Sequence, residues 1–371
     1  MKAIFKDSFS IFIRKDSALE QLLYVYNSKF RFKKLMNIFS SKLNRYIKYT
    51  GRLPYYPTQV SIEPTTACNY RCPSCFHGIE GGKEHLKKRD RFMDFDKYKK
   101  FIDEIHEHVW MISLTGCGES FLHPNIYEML GYASEKGLAV TLEHNGSVFD
   151  PQKLADTELN KVHFGVDCTT QDSYSKYRIG GNIEKVLEKV TRYCEILESR
   201  EERPAVHLRF LVNRYTEDDA GKLEEMFSRF DFVKIYYDAF IIPSPDLKTL
   251  MELPSTTTLD NFEEWHPRKM GQYNIYRYDK ETDSMRDMNL LNAPAGTCPG
   301  VYGGAMLNTD GSIYPCCVAH SAMPQELCYG NAFEQGFFET WNSKKARTFR
   351  SNYKKNKGSY GFCKNCPSGR S

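Results

Sequence analysis

Cys68-Asn-Tyr-Arg-Cys72-Pro-Ser-Cys75 sets three thiols at spacings of four and three residues. Thiolates in a Cys-x3-Cys-x2-Cys run can hold three irons of a cubane and leave the fourth without a protein ligand. An open iron lets a cluster bind and reduce a substrate rather than only relay electrons, although zinc can also take closely spaced thiols. A second group comprises Cys298 and Cys316, separated by 17 residues, and Cys363-x2-Cys366. Four thiolates close a site, which suits either an electron-transfer cluster or a structural zinc. Five further cysteines complete the twelve: Cys117, Cys168, Cys194, Cys317 and Cys328. Cys194 shares an apolar helical face with Val190 and Leu197 and is expected in the core. Cys117 and Cys168 fall at the ends of β-rich runs and Cys317 adjoins Cys316, so each is either an inert thiol or a candidate hydrogen donor.

These groups need a frame that brings them together. Short β-rich runs at 60–63, 109–115, 139–143, 162–166, 206–212 and 233–237 alternate with helical patterns at 95–108, 125–136, 182–199 and 218–229. Alternation of this kind predicts parallel strands with right-handed helical crossovers, and six units fall short of the eight in a closed barrel. The expected fold is therefore α/β, a partial (β/α)6 barrel, with the first cysteine motif in the loop after the first strand. Barrel sites sit at that C-terminal end. The 371 residues divide into an N-terminal helical extension (1–57), the barrel (58–242), a proline-interrupted linker or substrate lid (243–297) and a cysteine-rich module (298–371).

Composition excludes several classes. With 41% hydrophobic residues, 24 Tyr and 24 Phe the chain suits a globular enzyme rather than a disordered or fibrous protein. No apolar run reaches the roughly 20 residues that span a bilayer, and no apolar leader opens the chain, so a cytoplasmic location is expected. A reducing compartment keeps thiols available for metals. The net charge of +4 is uneven: residues 1–54 carry 12 Lys/Arg and three acids, a net +9, leaving −5 elsewhere. Residues 29–48 hold seven basic residues and no acid, with Phe32, Leu35, Met36, Phe39, Leu43, Tyr46 and Ile47 at helical spacing. Such a basic amphipathic helix either packs on the barrel with a solvated basic face or makes peripheral contact with an anionic membrane. The acidic remainder argues against a nucleic-acid partner.

Over residues 58–240 the sequence resembles the radical S-adenosylmethionine (SAM) superfamily, through the cysteine triad and the motifs behind it. The resemblance implies a SAM-binding 4Fe-4S cluster on Cys68, Cys72 and Cys75. Its open iron would chelate the methionyl amine and carboxylate, and one electron would cleave SAM to methionine and a 5′-deoxyadenosyl radical. Thr115-Gly-Cys-Gly-Glu119 looks like the family's glycine-rich segment, with Gly118 and Glu119 near the SAM amine and Cys117 in place of a glycine. Asn145-Gly146 after the third strand and Asp167 after the fourth are similar to positions that meet the ribose. Arg178 resembles an arginine that pairs with the SAM carboxylate, and is equally compatible with a structural ion pair. The residue before the last cluster cysteine, often aromatic in the family, is Ser74 here, so adenine packing falls to Phe76.

Gly311-Ser-Ile-Tyr-Pro-Cys316-Cys317, Tyr329-Gly-Asn-Ala, Glu339-Thr-Trp341-Asn-Ser and Cys363-x2-Cys366 resemble the SPASM/twitch module. This implies an auxiliary 4Fe-4S cluster on Cys298, Cys316, Cys363 and Cys366. Similarity to 2-deoxy-scyllo-inosamine dehydrogenase and sulfatase-maturating enzymes implies hydrogen abstraction from an unactivated C–H followed by two-electron oxidation. A carbohydrate-like or other natural-product substrate is expected, with peptide modification and epimerisation as alternatives and a non-catalytic metal scaffold as the rival from another class. The reductant implied is a flavodoxin or ferredoxin.

Overall fold

The computed structural model describes residues 25, 29–239, 259–271, 276–279, 284–287, 298–356, 359–360 and 363. Most of the expected linker or lid, and Cys366, lie outside them. Six strands run in chain order through one sheet: β1 (Gln59–Ile62), β2 (Met111–Leu114), β3 (Ala139–His144), β4 (Lys161–Gly165), β5 (Ala205–Val212) and β6 (Val233–Ala239). Every neighbouring pair is parallel, with Gln59 beside Met111 and Val206 beside Val233. This is the strand order of a partial barrel, and each strand's C-terminal end points at the same rim.

The crossover helices form where local signals agree. In α3 (Phe95–Ile105), Asp94 accepts a hydrogen bond from the Lys97 amide, and Tyr98, Phe101, Ile102 and Ile105 turn inward. In α7 (Ile183–Glu198), Asn182 accepts from the Lys185 amide, and the apolar series from Ile183 to Leu197 is buried, Cys194 included. An N-cap oxygen satisfies one of the amides that a helix start leaves open, and the spacing of the buried residues makes one continuous inner stripe. Before them comes α2 (Gly82–Leu86), between them lie α4 (Ile126–Glu135), α5 (Pro151–Ala155) and α6 (Gln171–Tyr177), and α8 (Ala220–Phe227) and α9 (Leu259–Trp265) follow. A small antiparallel pair, β7 (Tyr276–Asp279) and β8 (Ser284–Asp287), stands outside the main sheet.

The cysteine-rich segment continues the barrel sheet. After α10 (Pro299–Tyr302), β9 (Gly304–Leu307) pairs in parallel with β1, and β10 (Ser312–Tyr314) and β11 (Gly330–Asn331) extend it antiparallel, making nine strands. Then come α11 (Cys317–Ala322), α12 (Ala332–Gln335), α13 (Phe337–Trp341) and α14 (Lys344–Lys355). Side chains reinforce the join. The Trp341 indole donates to the Tyr55 carbonyl (3.1 Å), Asn342 bonds both backbone groups of Leu53, and Glu104 on α3 accepts the Phe337 and Phe338 amides.

Helix α1 (Arg31–Ile47) lies at the opposite end of the barrel from the rim. Its Ile38 packs with Trp110 and Ala139, where β2 and β3 begin, and Phe30 meets His106 edge-on. The face turned inward is mostly polar. Lys34, Asn37, Ser41 and Asn44 are buried, Asn37 exchanges two hydrogen bonds with the Tyr56 backbone, and Asn44 donates to the Tyr55 hydroxyl (2.8 Å). Lys34 donates to the Gly137 carbonyl, and burial lowers its pKa to about 8. Of the apolar series, Leu35 packs beside Ile38 while Phe32, Met36, Phe39, Leu43, Tyr46 and Ile47 face outward, because hydrogen bonds supply most of the contacts that dock this helix.

Candidate active site

The cysteine triad occupies the loop leaving β1, and the backbone folds the three thiols together. The Cys75 amide donates to the Cys72 carbonyl (2.9 Å), and the Gly78 and Ile79 amides return to the Cys75 carbonyl. A Cβ on Gly78 would fall 2.2 Å from the Cys72 carbonyl oxygen, so only glycine permits this turn. Burial pushes the Cys68 thiol up to about 11, that of Cys72 above its usual range and that of Cys75 well above it, with the neighbouring thiols adding to the effect at Cys68 and Cys75. Thiols so placed ionise only if a positive centre joins them, and the irons of a cluster supply it. Arg178 opposes the shift, its Nη1 lying 3.8 Å from Cys72 Sγ.

Motifs from four strand ends then interlock. Glu119 is buried, its Oε2 accepting the Asn145 amide (2.8 Å) and its Oε1 the Phe121 amide (3.2 Å), while its own amide donates to the Ala67 carbonyl (2.7 Å). Burial raises its pKa to about 7, against the pull of those amides and of Arg178. A buried carboxylate with no ion pair among the described residues can accept hydrogen bonds from the N–H groups of a ligand amine such as that of SAM. A Cβ on Gly118 would stand 2.2 Å from the Thr65 carbonyl oxygen, so the glycine lets this segment lie against the triad's loop. The Asn145 side chain is committed to Asn69 (3.0 Å) and Ser147.

Asp167 takes a left-handed backbone conformation (φ 65°) and bonds Arg178 Nε (2.5 Å) and the Leu211 amide (3.1 Å). Arg178 is thus tied to Asp167 in a buried ion pair beside the triad, with Nη1 directed toward Cys72. Phe76 is buried and stacks on His85 (ring centroids 5.5 Å apart). The Ser74 hydroxyl bonds the buried Tyr177 hydroxyl (2.7 Å), which brings an aromatic ring from α6 to the position where the sequence has none. Cys168 is buried, with Sγ 3.5 Å from the Thr170 carbonyl.

Sequence reasoning missed a charged knot between the two cysteine groups. Glu63 and Arg89 form a fully buried ion pair (2.8 Å), and Glu63 Oε1 also accepts the Cys117 amide (2.8 Å). Burial pushes the Glu63 carboxyl above its usual range while Arg89 opposes it. Arg89 Nη1 donates to the carbonyl of His320 on α11 (2.8 Å), and the Cys117 thiol donates to Ser321 Oγ (3.2 Å). Ligand atoms of Glu63, Cys117 and His320 lie within 4.8 Å of one another. The Arg89 guanidinium already supplies the positive charge there, so the arrangement reads as an ion-paired clamp rather than a metal site. No local pattern announces a pair 26 residues apart.

At the second group, Cys298, Cys316 and Cys363 lie close enough to help raise the pKa of the buried Tyr329, whose hydroxyl has no hydrogen-bond partner among the described residues. Cys316 caps α11, its sulfur accepting the Ala319 amide (3.4 Å). Arg350 lies fully buried beneath, 4.0 Å from the Trp341 ring centroid and 5.5 Å from that of Tyr329, with Nη1 unsatisfied. It has no carboxylate partner among the described residues. A buried cation without a counter-ion fits a neighbouring four-thiolate centre, which carries net negative charge.

Comparison with known proteins agrees with this chemistry. The radical SAM superfamily model matches residues 62–227, and a SPASM iron-sulfur cluster-binding domain model matches residues 298–367. The tungsten-containing aldehyde ferredoxin oxidoreductase cofactor-modifying protein of Pyrococcus furiosus is 26% identical over 173 residues, 44% of this chain and 46% of that protein. The chain thus spans about half the length of that relative. The AdoMet-dependent heme synthase of Methanosarcina barkeri is 22% identical over 345 residues, covering 83% and 88% of the two chains. Streptococcus suis SuiB bound to S-adenosylmethionine shares the fold with a TM-score of 0.56 at 14% identity, over 84% of this chain and 72% of that one. No helix among the described residues is long and apolar enough to cross a membrane. The chain carries a radical SAM domain over residues 62–227, the kind that binds SAM at a 4Fe-4S cluster, and a SPASM iron-sulfur cluster-binding domain over residues 298–367.

Proposed function

We propose that this enzyme oxidises an unactivated C–H bond of a small carbohydrate-like or related natural-product substrate by two electrons. Cys68, Cys72 and Cys75 would hold the SAM-binding cluster, and Cys298, Cys316, Cys363 and Cys366 the auxiliary one. When bound, these groups supply reductive cleavage of SAM to a 5′-deoxyadenosyl radical and an acceptor for one electron from the substrate radical. The balance for an alcohol is simple: one hydrogen atom leaves carbon for 5′-deoxyadenosine, one electron goes to the acceptor, and the hydroxyl proton goes to solvent. A flavodoxin or ferredoxin would deliver the initiating electron.

In this scheme Glu119 holds the SAM amine, Gly118 keeps that segment against the cysteine loop, and Asn145 and Asp167 line the ribose side. Arg178 shields the Cys72 thiolate while Asp167 fixes its orientation. Phe76 and Tyr177 are the rings available for adenine. The observation that carries the reading is the continuity of the two cysteine groups: β9 lies against β1, and α11, which follows Cys316, bonds Arg89 and Cys117 behind the SAM segment. An acceptor held this way has a fixed distance from the substrate radical.

A redox-neutral outcome is the second reading, in which a thiol among Cys117, Cys168 and Cys317 would return a hydrogen atom to the substrate radical. Peptides are the second substrate class, since SuiB has also been solved with its precursor peptide SuiA. Anaerobic turnover in deuterium oxide with aminocyclitol, sugar and peptide candidates separates these outcomes by product mass. Oxidation removes a hydrogen pair from the product; one deuterium in an otherwise unchanged product contradicts it and indicates epimerisation.

A further inference from the structure

Helix α1 is amphipathic in the reverse sense of a packed surface helix. Its hydrogen-bonding residues, Asn37, Ser41 and Asn44, are buried against the barrel's base. Its large apolar residues face solvent: Phe32 is 73% exposed, Phe39 61% and Tyr46 86%, with Met36, Leu43 and Ile47 on the same stripe. Eight of the twelve exposed large apolar side chains among the described residues fall between Phe30 and Tyr49. The other four are scattered singly, as on any protein. Seventeen residues make a rod about 26 Å long, so the stripe is one contiguous patch rather than isolated side chains.

Charge decides what this patch fits. No Asp or Glu occurs between Glu20 and Glu63, so the stripe has no acid of its own, and the lysines Lys42 and Lys48 flank it. Tyr46 and Tyr49 close its C-terminal end, ring types that settle at the level of lipid headgroups. We infer that α1 seats the enzyme on an anionic phospholipid surface, the apolar stripe entering the acyl boundary and the lysines meeting the headgroups. Because α1 sits under the starts of β2 and β3, the rim carrying the cysteine triad faces away from the lipid. The helix is a tether rather than a route for substrate, which makes this inference independent of the reaction proposed above.

The test is co-sedimentation of the full-length protein with vesicles of phosphatidylcholine alone and of phosphatidylcholine mixed with phosphatidylglycerol, at low and high salt. Binding is expected only to the mixed vesicles, weakened by salt, at least about tenfold weaker for Phe39→Glu, and about fivefold weaker for Lys42→Gln. SAM cleavage by both variants should match the unmodified protein, which shows that they fold. Equal binding to both vesicle types overturns the anionic-surface claim. Failure to bind either overturns the proposal outright. In that event, vesicle binding gained on deleting residues 1–28 assigns the stripe to that segment, and a dimer abolished by Phe39→Glu assigns it to a second copy of the chain.

Discussion

Glu119 shows how a single carboxyl joins motifs from two strands and then titrates in a useful range. Its folded pKa of about 7 stands above the ordinary 4.5, so between those values the folded chain without SAM holds a proton that the unfolded chain has lost. This group's contribution to stability is therefore greatest at and below about pH 4.5 and falls as pH rises through about 7. Hydrogen bonds from a ligand amine favour the ionised form, so Glu119 should make SAM binding weaken by up to about tenfold per unit as pH falls below about 7. Equilibrium binding to reconstituted protein across that range checks this, and Glu119→Gln should bind weakly with a shallower profile; an unchanged slope in that variant removes Glu119 from the amine site. The cysteines and Glu119 were legible because spacing and position after strands announce them. Glu63–Arg89, Asp167–Arg178 and the Ser74–Tyr177 bond were not, since each joins residues whose partnership only the folded chain creates.

At the scale of elements, the segment Thr115-Gly-Cys-Gly-Glu119 works by close approach. Gly118 meets the Thr65 carbonyl and Gly116 meets Glu63, where a Cβ would lie 2.4 Å from its Cγ. Gly118→Ala should displace the segment that carries Glu119 and lower SAM cleavage by at least about tenfold, since misplacement by about 1 Å is enough to cost far more than that. Iron content should stay unchanged, because the triad itself is intact. Quantifying iron and 5′-deoxyadenosine on the same preparation checks both halves; loss of iron instead would make this glycine part of the cluster's cradle. The six parallel strands and four long helices were legible because their periods differ, two for one and 3.6 for the other. The orientation of α1 was not. Its pattern defines an apolar face and a polar face, but which face packs depends on whether the protein offers hydrogen-bond partners, and here Tyr55 and Tyr56 do.

The whole molecule is organised by one nine-stranded sheet that carries both cysteine groups. Sequence marked the C-terminal module by its cysteines but gave no sign that β9 would pair with β1, a contact across about 245 positions that only tertiary packing selects. In the proposed reaction the two sites divide the labour: one would cleave SAM, and the other would receive the substrate's electron. Dithionite-reduced, anaerobically reconstituted protein should hold about eight irons as two 4Fe-4S clusters. The most direct measurement is 5′-deoxyadenosine formed from SAM by that protein and by its Cys72→Ala and Cys316→Ala variants. The unmodified protein and Cys316→Ala should both produce it, and Cys72→Ala should produce none. 5′-Deoxyadenosine from Cys72→Ala, or none from the unmodified protein, contradicts the account.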